Sequence, residues 1–153
     1  MKYFLDTEFI EYPNTIDLIS IGIVAEDGRE YYAVNKDCDA SKASQWVKDN
    51  VLANIGQRTP QPKKEIASDI LLFIGSEKPE FWGYYADYDW VVFCWIFGKM
   101  INLPKGWPMY CRDLKQYLDS IGNPQLPKNE NDNHNALDDA IHLKKCFELV
   151  YKV

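Results

Sequence analysis

The order of apolar and polar positions along the chain predicts a mixed α/β protein. Three apolar stretches come first, and the turn-forming pair Asp27-Gly28 joins the last two, which predicts a β-hairpin. Residues at helical spacing then alternate with short aromatic stretches, a pattern typical of a mixed sheet with helices packed against it. The predicted strands are Lys2–Phe9, Thr15–Ala25, Glu30–Val34, Glu80–Tyr85 and Trp107–Arg112.

Five helices are predicted from apolar residues that recur every three or four positions. A proline at the start and a glycine at the end mark the second helix, and Asp113 is placed to cap the fourth. The stripe of the first helix contains Trp46, and we assign Trp82, Trp90 and Trp95 to the core. The predicted helices are Ser41–Asn54, Pro62–Gly75, Tyr88–Phe97, Asp113–Ile121 and Ala136–Tyr151, with a polar loop over 123–135.

The length of 153 residues predicts one domain over residues 1–153. Apolar runs fall far short of the ~20 residues of a membrane helix, and no signal-peptide core follows Lys2, so we expect no membrane partner. Four scattered cysteines without a C-x-x-C pair predict reduced thiols and a cytoplasmic location. The net charge of −6 argues against a surface that is cationic throughout and predicts modest affinity for long nucleic acids.

Asp6 and Glu8 are the first feature that points to chemistry. Residues i and i+2 of a strand share a face, with Cα atoms roughly 6.6 Å apart. Two carboxylates on a strand that otherwise looks buried would repel each other without a cation, and Mg²⁺ or Mn²⁺ prefers such oxygen ligands. The alternative is that both side chains lie in solvent at a frayed strand end.

Two further acidic clusters follow. Asp87 suits a helix N-cap, which would place Asp89 in the first turn and available to a ligand. On the last helix, Asp139 lies beside the apolar stripe, whereas Asp138 is rotated about 100° from it. His134 would ordinarily be an exposed loop residue, but beside bound metal ions it could accept a proton from water near neutral pH. We assign no function to the other histidine, His142.

These residues resemble the three motifs of the DEDDh superfamily of 3′–5′ exonucleases. The motifs are Asp6-x-Glu8 on the first strand, Tyr88-Asp89, and an H-x4-D pair in which four residues separate His134 from Asp139. That superfamily includes oligoribonuclease, RNase T and the proofreading subunits of replicative polymerases. The stretches FLDTEFIEYPNTIDLISIGIVAEDGREYYAV and HNALDDA are similar to the mycobacterial-type 3′–5′ exoribonucleases. The resemblance extends from Lys2 to the last helix.

The resemblance implies a ribonuclease-H-like α/β fold, a five-stranded mixed sheet with helices on both faces. It also implies that Asp6, Glu8, Asp89 and Asp139 hold two divalent ions, Mg²⁺ or Mn²⁺, and that His134 is the general base. The implied substrate is the 3′ end of single-stranded RNA or a 3′ overhang, possibly DNA, and nucleoside 5′-monophosphates are the products. A homodimer is plausible in this family.

Three questions remain open from the sequence. Thr7 and Phe9 are candidates for substrate contacts, but Phe9 is as well suited to core packing as to stacking on a terminal base. The larger families carry an asparagine in the second motif where Tyr84 stands, so Asp87 competes with Asp89 as a ligand. Asp89 is preferred because the aromatic Tyr88 precedes it and apolar residues follow at 92–93. A PIN-type metal-dependent endoribonuclease and a non-catalytic nucleic-acid-binding adaptor on the same fold are the alternative functions.

Overall fold

The computed structural model describes residues 1–131 and 133–151 and contains one five-stranded sheet. The strands are β1 (Lys2–Tyr12), β2 (Thr15–Ala25), β3 (Glu30–Val34), β4 (Glu80–Gly83) and β5 (Arg112–Asp113). They are arranged in the order β3-β2-β1-β4-β5. Strands β1, β2 and β3 pair antiparallel, whereas β4 runs parallel to both β1 and β5, so the sheet is mixed.

Helices cover both faces of this sheet. They are α1 (Gln45–Asn50), α2 (Lys63–Ile74), α3 (Asp87–Ile96), α4 (Leu114–Ser120) and α5 (Ala136–Val150), with short 3-10 turns at Ala40–Lys42, Leu52–Asn54 and Met100–Asn102. On one face, α2 and α3 pack against Tyr3 and Leu5 of β1. On the other face, α4 and α5 pack against Phe4 and Trp82. The expected α/β fold is confirmed.

The predicted helix over 41–54 is wrong. The structure instead has one 3-10 turn before the six-residue α1 and one after it. Helix α1 begins where the Ser44 hydroxyl accepts a hydrogen bond from the amide of Val47. Trp46 is 55% exposed rather than part of the core. Trp95, which we also expected in the core, is exposed, whereas Trp82 and Trp90 are buried as expected.

The strand bounds also differ from the sequence predictions. β1 extends to Tyr12, past a bulge at which pairing with β2 steps from Ser20 to Leu18. β4 ends at Gly83, before Tyr84 and Tyr85, and β5 is only two residues long because Trp107 packs on Phe81 and Phe97 instead of pairing. Position 132 of the predicted loop lies outside the described residues. Within the described part of the chain, no helix has both the length and the apolar character to cross a bilayer.

One close contact positions the last helix on the sheet. Gly22 of β2 pairs with Asp6 of β1, and a Cβ atom built on Gly22 would lie 2.3 Å from the carbonyl oxygen of Ala136 and 2.5 Å from the Cα of Leu137. The first turn of α5 therefore rests directly on the backbone of β2. Only glycine leaves room for this contact, and it places the N-terminus of α5 beside Asp6.

Gly22→Ala is expected to lower the free energy of unfolding by about 1–3 kcal/mol, because backbone atoms of α5 must move to admit the methyl group. The same movement carries the first turn of α5 away from β1, so hydrolytic activity should fall with stability. Urea unfolding and an activity assay on the folded fraction measure the two effects. Wild-type values in both would show that α5 does not need this contact.

Candidate active site

Three acidic side chains converge at the contact between β1 and α5. Asp6 and Glu8 lie on the face of β1 that carries Phe4, which packs on Phe147 of α5. Asp139 is in the first turn of α5. Each of these three residues offers a carboxylate oxygen, and the three oxygens lie within 4.8 Å of one another. The strand alternation and the helical stripe used in the sequence analysis thus bring the first and third motifs together.

Asp89 comes from α3, on the other side of β1, and is not one of the three acids whose oxygens lie within 4.8 Å of one another. Its side chain is 7% exposed, and its Oδ1 accepts hydrogen bonds from the amide of Thr7 (2.9 Å) and from the Thr7 hydroxyl (2.5 Å). Thr7 stands between Asp6 and Glu8, so it ties Asp89 to the acidic strand. Asp87 is exposed and is not the N-cap of α3, since Ala86 holds that position. Of the two competitors, only Asp89 is buried against β1.

Burial and neighbouring charges raise the pKa values of Asp6, Glu8 and Asp89. Burial is the main cause for Asp6, whose pKa lies well above its usual value, and the charges of Asp89, Asp139 and Glu8 add to the shift. Burial, with Asp139 and Asp89, raises the pKa of Glu8 to about 7. Burial raises the pKa of Asp89 to about 6, although the hydrogen bonds from Thr7 oppose the shift. The cluster thus carries like charges in a partly buried place, a donor set that suits a hard divalent cation.

A cavity of 590 Å³ opens beside this cluster. Asp6, Asp139 and His134 line it together, so the imidazole and two of the acids face one space. The rest of the lining is largely apolar or aromatic, from the end of β4, the loop before α5 and α5 itself: Tyr84, Tyr85, Leu126, Pro127, His142, Leu143 and Cys146. Its volume lies within the ~300–1,000 Å³ range of small-molecule sites.

The loop that carries His134 is held from both sides. The Asn54 side chain donates to the carbonyl of Asn133 (2.8 Å), and the Asn135 side chain donates to the carbonyl of Asn54 (3.1 Å). The His134 imidazole packs edge-on against the ring of Trp46, 4.9 Å between centroids. Trp46 therefore contacts the candidate base instead of the core, which explains why helical spacing assigned it wrongly.

The other predicted site residues occupy distinct places. Phe9 is half-buried against the core on the α3 side, where its ring lies edge-on to Tyr88 at 5.8 Å. The hydroxyl of Thr7 is engaged by Asp89. Asp138 accepts a hydrogen bond from the side chain of Asn133 (3.0 Å) and is not part of the acidic group. Substrate contacts by Thr7 and Phe9 stay predictions.

Sequence reasoning missed several residues around the site. Asn129, in the polar loop, donates to Asp139 Oδ1 (2.7 Å), and Asn54 holds the His134 loop. His142, to which we assigned no function, lines the cavity and lies 3.3 Å from the Cys146 sulfur. Its position one turn after Asp139 on the same helix was the available signal. Asn129 lies in an irregular loop and Asn54 ends a 3-10 turn, and neither position gave a signal in the sequence.

Comparison with known proteins places the chain in a family. The model of the Rv2179c-like 3′–5′ exoribonuclease domain matches residues 1–151. The chain belongs to this family. Two relatives from Mycobacterium tuberculosis, the 3′–5′ exoribonuclease Rv2179c of strain H37Rv and MT2234.1 of strain CDC 1551, are each 40% identical to it over 156 residues, 98% of this chain and 93% of theirs. The resemblance to the mycobacterial-type 3′–5′ exoribonucleases is confirmed, as is the expectation of an enzyme of the 3′–5′ exoribonuclease class.

Solved structures agree on the fold of this exoribonuclease-family chain. Exonuclease I superimposes with a TM-score of 0.66 at 15% identity, and E. coli exonuclease I in complex with a dT13 oligonucleotide with 0.66 at 12%. In both cases 97% of this chain is covered, but it spans only 40% of the exonuclease I chain. These structures support the ribonuclease-H-like fold.

Proposed function

We propose that this chain, over residues 1–153, is a divalent-metal-dependent 3′–5′ exonuclease that removes nucleoside 5′-monophosphates from single-stranded RNA or from 3′ overhangs. The observation that carries the proposal is the convergence of Asp6, Glu8 and Asp139 within 4.8 Å at a cavity that His134 also lines. Family membership favours this activity over a PIN-type endoribonuclease and over a non-catalytic adaptor.

The acidic residues fit the two Mg²⁺ or Mn²⁺ ions that we propose. Burial and the charges of neighbouring acids raise the pKa values of Asp6 and Glu8, which is the electrostatic state that a bound cation relieves. Asp6, Glu8 and Asp139 would be ligands directly, and Asp89, held by Thr7, would complete the set. Divalent ions there would stabilise the negative charge that develops on the phosphate and increase the acidity of water.

The chain's own groups supply the proton chemistry. Hydrolysis adds the hydroxyl of water to phosphorus, breaks the bond to the 3′ oxygen of the preceding nucleotide and leaves a proton on that oxygen. His134, at the wall of the cavity, is the group proposed to accept the proton of the attacking water. The contacts of its loop with Asn54 and of its ring with Trp46 keep the imidazole at that wall.

RNA is the proposed substrate because the 40% identical relatives are 3′–5′ exoribonucleases. The exonuclease I structures in complex with dT13 and with a dA16 oligonucleotide make single-stranded DNA the comparison substrate. Without a broad cationic surface, the enzyme should favour short single strands whose 3′ end enters the cavity.

The test is hydrolysis of 5′-labelled single-stranded RNA with Mg²⁺ or Mn²⁺, beside matched DNA and circular RNA. The proposal requires a ladder shortened from the 3′ end, monophosphate products, and no reaction with EDTA. Cleavage of the circular RNA would instead favour the endonuclease. Oligonucleotide binding without turnover under every metal condition would favour the adaptor.

Asn54→Ala is expected to lower kcat about tenfold, because it removes the donor that holds Asn133 and frees the His134 loop to move. Divalent-ion binding by calorimetry should be unchanged, since Asn54 touches none of the acids. Steady-state kinetics with oligoribonucleotides measures the effect.

The matched control is Asn50→Ala, which removes a half-buried asparagine whose side chain donates within α1, to the carbonyl of Trp46. It should retain wild-type kcat. In a background that already lacks His134, Asn54→Ala should have no further effect. An equal loss in that background would show that Asn54 does not act through the histidine.

A further inference from the structure

The cavity beside the acids has two chemically different ends. One end is formed by Asp6, Asp139 and His134, and the other has an aromatic wall of Tyr84 and Tyr85. A nucleotide has the same division, a charged phosphate at one end and a flat base at the other. The acidic end accounts for the phosphate, but nothing in the proposed chemistry accounts for the two tyrosines.

The backbone of Tyr85 is in a conformation that tyrosine rarely adopts. Four described residues other than glycine have a positive φ: Asn14, Tyr85, Asn123 and His134. Asparagine and histidine are enriched in this left-handed region, whereas a bulky side chain such as tyrosine is an outlier there. The two of these residues that are not asparagine, Tyr85 (φ 54°) and His134 (φ 51°), both line the cavity. Unfavourable backbone conformations of this kind are found most often at functional sites.

The backbone of the turn after β4 is held in place, although the ring of Tyr85 in this turn is not buried. The carboxylate of Asp113 accepts a hydrogen bond from the amide of Ala86 (2.8 Å) and also caps α4, so it ties the turn after β4 to the start of α4. The ring of Tyr85 nevertheless remains 65% exposed, and it contacts Tyr84 edge-on with centroids 4.9 Å apart. Core packing therefore does not explain the ring, and the strained backbone presents it at the cavity.

We propose that the ring of Tyr85 is the surface on which the 3′-terminal nucleobase stacks while its phosphate lies at the acidic end. Stacking on an aromatic ring accepts any base, because every base has a π face, so Tyr85 would hold the end of the strand without selecting its sequence. Tyr84 supports the ring from the side. The inference rests on the proposed function, since it assigns the base end of the same cavity.

Three variants test this stacking. Tyr85→Asn removes the ring and places a residue that tolerates φ 54°, so its melting temperature should equal or exceed that of the wild type. Its affinity for single-stranded RNA should nevertheless fall about tenfold, the size of one base–aromatic stack. Tyr85→Phe keeps the ring and should bind as the wild type does. Tyr110→Asn removes an exposed ring that does not line this cavity and is the matched control.

The decisive comparison uses an RNA whose 3′-terminal nucleotide is abasic. Fluorescence anisotropy with phosphorothioate oligomers measures affinity without turnover, so the result does not depend on hydrolysis. Wild-type protein should bind the abasic oligomer about tenfold more weakly than the intact one, and Tyr85→Asn should bind both equally. If Tyr85→Asn still distinguishes the two oligomers as the wild type does, the stacking inference is wrong. Absence of hydrolysis by the wild type would contradict only the proposed function.

Discussion

Asp6→Asn is expected to reduce hydrolysis by about 10³-fold or more, because Asp6 is central to the acidic group that would hold the divalent ions. The loss of a ligand that stabilises the transition state costs several kcal/mol, which corresponds to this change in rate. The measurement is single-turnover hydrolysis of an oligoribonucleotide at saturating Mg²⁺ or Mn²⁺. Glu65→Gln, an exposed acid in the first turn of α2, removes the same unit of charge and should leave the rate unchanged.

Asp6→Asn should also stabilise the metal-free protein. A carboxyl group with a raised pKa in the folded state contributes stability at low pH, and that contribution is lost as the pH rises through the folded-state pKa. Because the pKa of Glu8 is raised from 4.5 to about 7, its contribution to stability is lost between those two pH values. The pKa of Asp6 is raised as well, so its contribution is also lost as the pH rises. Wild-type protein in EDTA should therefore melt at a lower temperature at pH 8 than at pH 6.

Asp6→Asn should have a smaller pH dependence and, at pH 8 in EDTA, a higher melting temperature than the wild type. Added Mg²⁺ should reverse the order, because the wild type gains stability from the ion that the variant binds poorly. Thermal unfolding at both pH values, with and without the ion, measures this. A variant that melts below the wild type at pH 8 in EDTA would mean that repulsion in the acidic cluster is not significant.

His134→Asn is expected to lower kcat by about 10²–10⁴-fold, the contribution of a general base. Asparagine is the suitable replacement because it tolerates the left-handed backbone at this position (φ 51°), so the loop should keep its conformation. Calorimetry should show divalent-ion binding close to that of the wild type, since His134 lies outside the acidic group.

The backbone effect can be separated from the loss of the base. His134→Ala removes the imidazole but does not favour φ 51°, so it should be less stable than His134→Asn with an equal loss of kcat. If ion binding is lost together with activity in the asparagine variant, His134 acts as a ligand and not as a base. Full activity in that variant would remove the histidine from the proposed chemistry.

Local patterns predicted the central part of the molecule well. The Asp27-Gly28 turn correctly joined β2 and β3, and strand alternation correctly placed Asp6 and Glu8 on one face. The apolar stripe of α5 predicted that Asp139, not Asp138, faces the acidic strand, which is where the structure has it. These results depend only on the two-residue and 3.6-residue periods of strand and helix, which nearby sequence determines.

The errors concern contacts between distant segments. Helical spacing put Trp46 in the core, but its ring packs on an imidazole from the loop before α5. The preference for Asp89 over Asp87 was not an error, but the two hydrogen bonds from Thr7 that hold Asp89 come from another element and could not be predicted from nearby sequence. An aromatic run suggested that β4 continues to Tyr85, although the chain turns after Gly83. Such contacts between distant segments leave no periodic pattern in the nearby sequence.

The contact of Gly22 with α5 has a consequence for how fast cations can enter. Because backbone lies directly on backbone, the separation of Asp139 from Asp6 is set before any ion arrives and does not depend on a side-chain spacer. If the acids hold divalent ions as proposed, loading would require only rotations of carboxylate side chains, which occur in picoseconds to nanoseconds, and no helix would have to shift. Ion exchange between turnovers should therefore be limited by dehydration of the incoming cation rather than by motion of the protein.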